Sequence, residues 1–447
     1  MSPSHNDTTT GSNPEDASRA AAALDRLAEL HPKLIDLGLD RTFDLLHRLG
    51  NPHHNMPPTV HVSGTNGKGS TIALMRAMAE YIGLRVHVYS SPHLCRFNER
   101  IRLAGKLITD GELADLLEEV ESLNGNMPVT FFEVTTAAAM LAFSRTEADL
   151  LLLETGLGGE LDSTNVLAKP AATVITPIAR DHEHFLGSDL AGIAKAKAGI
   201  MRTDVTCFSA IQLPDAEQML RNTARALGAP IRFLGQEMTL ALDKNNTAVL
   251  TMEQQNIEVP APALRGAHQV DNAALAISAL THVFPTTDPN NLASGITKAT
   301  WPGRVQQLTH GDLVARLNGA PIWLDGAHNA HGAAALAVAL TGIDPGPWQV
   351  ICGALNTRDP QEFLGPIASL AHSVHCLTIP DQDASLSGTD MAAAATALGL
   401  AARPHDSVED AIDHIVSDAD MAGMPMIICG SLYLAGHILL TNKTPPH

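Results

Sequence analysis

With 447 residues, 45% of them apolar and 17% charged, the chain is long enough for two hydrophobic cores and too apolar to be disordered in bulk. A formal charge of −19 excludes a broad nucleic-acid or anionic-membrane surface, so a polyanionic ligand has to be met locally, by a metal ion or a helix N-terminus. Five scattered cysteines without CxxC spacing give no disulfide framework or zinc knuckle, no run approaches the ~18 apolar residues of a membrane span, and the N-terminus lacks a signal-peptide pattern, so a monomeric, cytoplasmic protein is expected.

Residues 1–17, rich in Ser, Thr, Asn, Asp, Gly and Pro, read as a disordered tail. Helical patterning from about Ser18 runs to Leu49 and stops at Gly50-Asn51-Pro52. Strands are expected at 59–62, 84–90, 149–154, 171–176, 204–209 and 229–234, and helices at 70–82, 133–145 and 268–283. The polar, Pro-rich stretch 284–300 reads as a linker. After it come strands near 321–325, 348–353, 373–379 and 425–429 and helices near 332–342, 360–371, 389–399 and 407–419. Alternation of this kind means two α/β units with mostly parallel sheets, divided at 18–296 and 297–447.

The chemistry concentrates where strands end. Between strand 59–62 and the following helix lies Gly64-Thr65-Asn66-Gly67-Lys68-Gly69-Ser70-Thr71. Glycines let backbone N–H groups close around an anion, the helix N-terminus adds partial positive charge, and Lys68 adds a full one, so the turn reads as a phosphate cradle. The spacing departs from G-x-x-x-x-G-K-[ST], because Val62 stands where the first glycine belongs and Gly69 separates Lys68 from the hydroxyl. A glycine-rich turn with a solvated lysine is the alternative.

Three further polar clusters follow expected strands: Ser90-Ser91-Pro92-His93, Glu154-Thr155-Gly156-Leu157-Gly158-Gly159 and Asp181-His182-Glu183-His184. Ligands of open parallel sheets gather at these carboxyl ends. A carboxylate such as Glu154 after four leucines is costly to bury unless paired or metal-bound, and Mg²⁺ with nucleotide phosphates suits it. In the second unit, Asp325-Gly326-Ala327-His328-Asn329 again ends a strand, and Arg304 of Trp301-Pro302-Gly303-Arg304 stands at the junction, where it can reach phosphate across a cleft.

Taken together, GTNGKGST at 64–71, SPHL at 91–94, FNERI at 97–101, TFFEVTT at 130–136, ETGLGG at 154–159, LDSTN at 161–165, KAGI at 197–200, WPGR at 301–304, LDGAHN at 324–329 and GSLYLAG at 430–436 resemble the folylpolyglutamate synthase and dihydrofolate synthase branch of the Mur ligase superfamily. The resemblance covers about His31 to Leu440. It implies an N-terminal P-loop-type ATPase domain and a smaller C-terminal Rossmann-like domain of the glutamate-ligase type. The implied activity is ATP-dependent addition of L-glutamate to dihydropteroate and to tetrahydrofolate, through an acyl phosphate.

By position it implies that Ser91, Glu154 and His182 hold magnesium, two ions in all. Gly64 to Ser70, Asn272, Arg304 and Asp325 then contact ATP, and Thr130, Phe132 and Asp162 contact the pteroate portion. Lys68, His328 and Lys197 serve catalysis, with Lys197 matching a lysine that relatives carbamylate. Family members usually have Glu where Ala196 stands, often Arg where Glu160 stands, Pro where Ala330 stands, and Asp-Lys-Asp where Asn356-Thr357-Arg358-Asp359 stands. Glu160 leaves fine acceptor preference open. The rivals are a cell-wall precursor ligase, against which Gly69 and TFFE count, and a non-enzymatic nucleotide-binding scaffold, which would not need Glu154, His182 and Lys197.

Overall fold

The structure, a computed structural model, describes residues 13–30, 36–181, 183–187, 189–244, 247–421 and 423–447. His182 lies outside them. Strands β1 (Thr59–Ser63), β2 (Val86–Tyr89), β3 (Ile101–Leu103), β4 (Lys106–Leu107), β5 (Leu150–Glu154), β6 (Ala172–Ile175), β7 (Cys207–Ser209) and β8 (Ile231–Phe233) form one sheet in the order β4-β3-β2-β5-β1-β6-β7-β8. From β2 to β8 all neighbours are parallel, while β3 and β4 join antiparallel at the edge. The expected parallel α/β architecture is therefore present.

The reason is visible in β5. Leu150 and Leu152 pack on one face with the helices Lys68–Tyr81 and His268–Val283, whereas Leu151 and Leu153 pack on the other with the helices Asp110–Asn124 and Phe131–Arg145. A strand buried on both faces has to be apolar throughout, and each such leucine contributes on the order of 2 kcal/mol. Glu154 is the first polar residue after this run, and so it stands at the carboxyl edge of the sheet.

A small antiparallel sheet, β9 (Thr239–Leu242), β10 (Ala248–Met252) and β11 (Gln255–Val259), covers the helical layer and was not expected from the sequence. The second unit is a sheet of β12 (Gln306–Leu308), β13 (Ile322–Leu324), β14 (Trp348–Cys352), β15 (Ala371–Leu377), β16 (Ala402–His405) and β17 (Met426–Cys429), in the order β12-β13-β17-β14-β15-β16. Only β12 is antiparallel to its neighbour.

Two boundaries differ from expectation. A helix starts at Pro14, capped by the Asn13 side chain, so residues 14–17 belong to ordered structure rather than to the tail. The stretch 284–300 is no free linker: it holds the helix Pro289–Ser294 and a 3₁₀ turn, with Leu292, Ala293 and Ile296 fully buried in the first core. At Gly295 an added Cβ would fall 2.5 Å from Met78 Cα, so this segment is clamped onto the helix behind the phosphate loop. Among the described residues no helix is long and apolar enough to cross a membrane.

Candidate active site

The loop after β1 is shaped by what its glycines touch. Gly64 has φ +143°, and a Cβ there would fall 1.9 Å from Thr176 Oγ1 on the loop after β6. Gly67 has φ +90°, and a Cβ there would fall 2.8 Å from Asn272 Oδ1. Gly69, the residue that breaks the general pattern, lies under the indole of Trp301, which would meet a Cβ at 2.9 Å. The extra glycine thus lets the junction segment between the two units press onto the helix start.

The cradle is narrower than expected, because the N–H groups of Thr65 and Asn66 already donate to the Pro177 carbonyl at 3.0 and 3.3 Å. The first-turn amides of Lys68, Gly69 and Ser70, with no side-chain cap, are the donors left for an anion. Gly64→Ala combines a left-handed φ with an overlap. It is expected to lower stability by about 2–4 kcal/mol and to weaken nucleotide binding, which chemical denaturation and nucleotide titration would measure.

Lys68, Glu154 and Lys197 converge on this loop. Lys68 Nζ donates to the carbonyls of Gly64 and Thr65 at 3.2 and 3.4 Å and lies 3.9 Å from Glu154 Oε1. Glu154 is 4% exposed and accepts from the Ser91 backbone N–H at 3.3 Å. Burial raises its pKa, and Lys68 acts against that rise. Lys197, also 4% exposed, donates to the Gly64 carbonyl at 2.9 Å. Burial, with Lys68 adding to it, pushes the Lys197 amine down to about 7. A small cleft opens between Gly64, Lys68, Gly156, Asp181 and Lys197.

The second unit closes over the same edge. Asp325 accepts from Val305 N at 2.8 Å and Ala327 N at 2.7 Å, so its carboxylate fixes the turn that presents Arg304. Arg304 is close enough for its charge to act on both Asp325 and Glu154. His328 Nδ1 bonds the Gly326 carbonyl at 2.8 Å, and burial lowers its pKa to about 4, so the ring is neutral. The sequence did not disclose the bridging contacts: Asn66 pairs with Asn329 and His331, and Arg358 spans Asp181 and the His328 carbonyl. Asn272 donates to Gln269, which reaches Ser70 Oγ at 3.4 Å.

The three residues expected at the acceptor have structural duties of their own. Thr130 caps the helix Phe131–Arg145 in a capping box with Glu133, whose carboxylate also pairs with Arg41. Phe132 leans on Gly156, where a Cβ would come within 2.4 Å of its ring, and its centroid is 6.2 Å from that of Tyr89. Asp162 is fully buried and receives Leu157 N at 2.7 Å, Thr164 N at 3.0 Å and the Thr164 hydroxyl. It therefore holds the 156–164 loop in shape. The two family departures at 160 and 196 are neighbours, since Glu160 N donates to the Ala196 carbonyl at 2.8 Å.

Comparison with known proteins accords with this geometry. The chain matches the Mur ligase middle domain over residues 62–280 and the Mur ligase glutamate ligase domain over 303–432. It is 31% identical to the dihydrofolate synthase/folylpolyglutamate synthase of Escherichia coli over 95% of this chain and 96% of that one. The chain belongs to this family. Among solved synthases of the family, E. coli FolC in complex with DHPP and ADP superposes with a TM-score of 0.84 at 29% identity, covering 96% of this chain and 99% of that one. A bifunctional synthase with Mn, AMPPNP and L-glutamate bound gives 0.82 at 29% identity, covering 94% and 97%.

A divalent metal is part of the family's equipment, and the residues here fit one. Glu154 is a buried carboxylate whose nearest cation is 3.9 Å away, beside the Ser91 loop and the phosphate-facing amides. Among the described residues no three His, Cys, Asp or Glu side chains gather into a metal site. Few protein ligands suit Mg²⁺, which keeps water and phosphate in its remaining positions.

Proposed function

We propose that this chain is an ATP- and Mg²⁺-dependent ligase that joins L-glutamate to dihydropteroate and to tetrahydrofolate. The observation that carries the proposal is the meeting of Lys68 and buried Glu154 on the first sheet with Arg304 and Asp325 on the second. Two carboxylates, an ammonium and a guanidinium at the carboxyl ends of two sheets make a site for moving a phosphoryl group between anions.

Residues 64–70 hold the ATP phosphates, with Asn272, Arg304 and Asp325 completing the nucleotide site. Ser91 and Glu154, together with His182, would hold the metal ions. Once bound, these ions neutralise phosphate charge. Thr130 and Asp162 shape the acceptor side, where the Phe132 ring offers a face to the pterin. The acceptor carboxylate forms a bond to the γ-phosphorus as the bond to ADP breaks. The glutamate amine then attacks the acyl carbon, loses a proton and expels phosphate. No side-chain nucleophile is needed, so positioning by the two units carries the rate.

The test is glutamate-dependent ADP release with dihydropteroate, with tetrahydrofolate and with a uridine-linked muramyl acceptor. Turnover with both folates and none with the last is expected. Turnover with the muramyl acceptor alone would sink the reading.

A further inference from the structure

Arg100 is a half-buried cation to which the roles above give no task. It ends the 3₁₀ turn Phe97–Arg100, next to β3. Its Nε donates to His93 Nδ1 at 2.9 Å, and its guanidinium lies 5.2 Å from the centre of the Phe97 ring. Those two contacts fix the plane of the group. Among the described residues, Nη1 and Nη2 have no protein hydrogen-bond partner and no carboxylate stands within ion-pair distance, and neither nitrogen is a buried orphan, so both can be reached from outside.

The nearby acids are committed elsewhere. Glu99 accepts from the backbone N–H groups of Leu94, Cys95 and Arg96 at 2.7, 2.9 and 2.8 Å. Glu154 is engaged with Lys68 and Ser91 N. The imidazole of His93 is no counter-charge either: its Nδ1 accepts from Arg100, and a ring nitrogen that accepts carries no negative charge. Burial works against the charge of this guanidinium, and without an anion beside it that cost stays uncompensated, so an arriving anion would be bound favourably.

Its place says which anion. Tyr89, Tyr433, Glu154 and Glu99 all lie within electrostatic reach of Arg100. Tyr89 packs toward Phe132 on the acceptor side, Glu154 marks the phosphoryl side, and Tyr433 comes from the second unit. Arg100 therefore lies near both Tyr89, which packs toward the ring that would face the pterin, and the carboxylate that would face the phosphate.

We propose that Arg100 is the clamp for the acceptor's carboxylate, gripping it through Nη1 and Nη2 while it attacks ATP. This rests on the ligase reading above. In the step served, a carboxylate oxygen lone pair forms the bond to the γ-phosphorus. The bond from that phosphorus to the β,γ-bridging oxygen breaks, and its electron pair leaves with ADP. No proton moves, and Arg100 stays charged throughout. A planar fork suits a planar carboxylate, and its charge offsets the repulsion between two anions.

The test uses the full chain with Arg100→Ala and Arg100→Lys. Two readouts are steady-state turnover and scrambling of bridging ¹⁸O in ATP in the presence of acceptor without glutamate, which reports the first step alone. Arg100→Ala is expected to lower kcat/KM for the folate acceptor roughly 100-fold or more, to suppress scrambling and to leave the KM for ATP within about twofold. Added guanidinium ion should restore at least a tenth of the lost rate. Arg100→Lys keeps a cation and is expected to fold with an unchanged Tm yet lose about tenfold in acceptor kcat/KM.

Near-wild-type acceptor kinetics in either variant overturns the clamp. So does a parallel loss of ATP and acceptor binding without guanidinium rescue, since that pattern means packing alone. A wild-type protein inactive with every folate acceptor would instead remove the underlying reading, a result visible before any variant is made.

Discussion

Lys68→Ala is expected to lower kcat by roughly a thousandfold with either folate acceptor while leaving the protein folded. The ammonium is held by two loop carbonyls, those of Gly64 and Thr65, and points along the cleft toward Glu154. Both contacts come from the strand-to-helix turn, so the group is positioned before any nucleotide arrives and no reorganisation is left for the reaction step. As the phosphoryl group moves from ADP to the acceptor, charge spreads over its oxygens. A fixed cation in a half-dry cleft stabilises that arrangement more than it stabilises bound ATP.

The loss should therefore fall mainly on kcat, with a smaller rise in the KM for ATP. Lys68→Arg should rescue little, because the guanidinium is larger than the ammonium that the two carbonyls enclose. Circular dichroism and a thermal melt would show that the fold survives. A variant retaining more than a tenth of the wild-type kcat would remove Lys68 from the chemistry.

The frame around this lysine was legible because the core strands carry one unbroken signal. Four leucines ending in Glu154 can only be a strand buried on both faces whose first polar group stands at an edge. The phosphate loop was legible for the same local reason, since a glycine-rich turn between a strand and a helix is defined within ten residues. What escaped was either masked by composition or made by distance. Leu292, Ala293 and Ile296 supply a buried face inside a stretch whose average is polar, so averaging turned a packed helix into a linker. The strands β10 and β11 are short and only partly buried, which weakens the alternation that would reveal them.

Thr130 and Glu133 form a capping box that the sequence spells out as T-x-x-E, yet the same residues sit in the segment expected to face the acceptor. Local and ligand-facing roles coincide there, and only geometry separates them. The latch of Arg358 on Asp181 joins residues 177 positions apart, and Trp301 over Gly69 joins the two units. No periodicity carries such information, because these contacts follow from how two independently patterned sheets are stacked.

Lys197 gives the second large effect, and its sign can be worked out. The amine is buried beside Lys68, and that environment brings its pKa to about 7. An ordinary lysine stays protonated at neutral pH, whereas this one is largely a free amine just above pH 7, which is the form that attacks CO₂. The nitrogen lone pair forms the bond to carbon, the amine loses one proton, and the product is a carbamate anion. Its remaining N–H can keep the bond to the Gly64 carbonyl that the amine makes at 2.9 Å. The reaction leaves Lys68 as a cation and turns Lys197 from an amine into an anion beside the metal-binding edge.

Intact-mass measurement under bicarbonate should therefore show one added CO₂, lost in Lys197→Ala. That variant should turn over roughly 100-fold more slowly and recover in part with acetate or another small carboxylate. Stability gives an independent reading. With plain lysine, the folded group releases its proton near pH 7 and the unfolded one near the ordinary 10.5, so between these values the unfolded chain binds the extra proton and stability rises with pH. Below about pH 7 both states hold the proton and the cost of burying it is fully present. Carbamylation removes that dependence, so protein stripped of CO₂ should gain stability from pH 7 upward, while protein in bicarbonate should show a flatter profile. Full activity from protein whose Lys197 carries no added mass would rule out the carbamate as part of the working site.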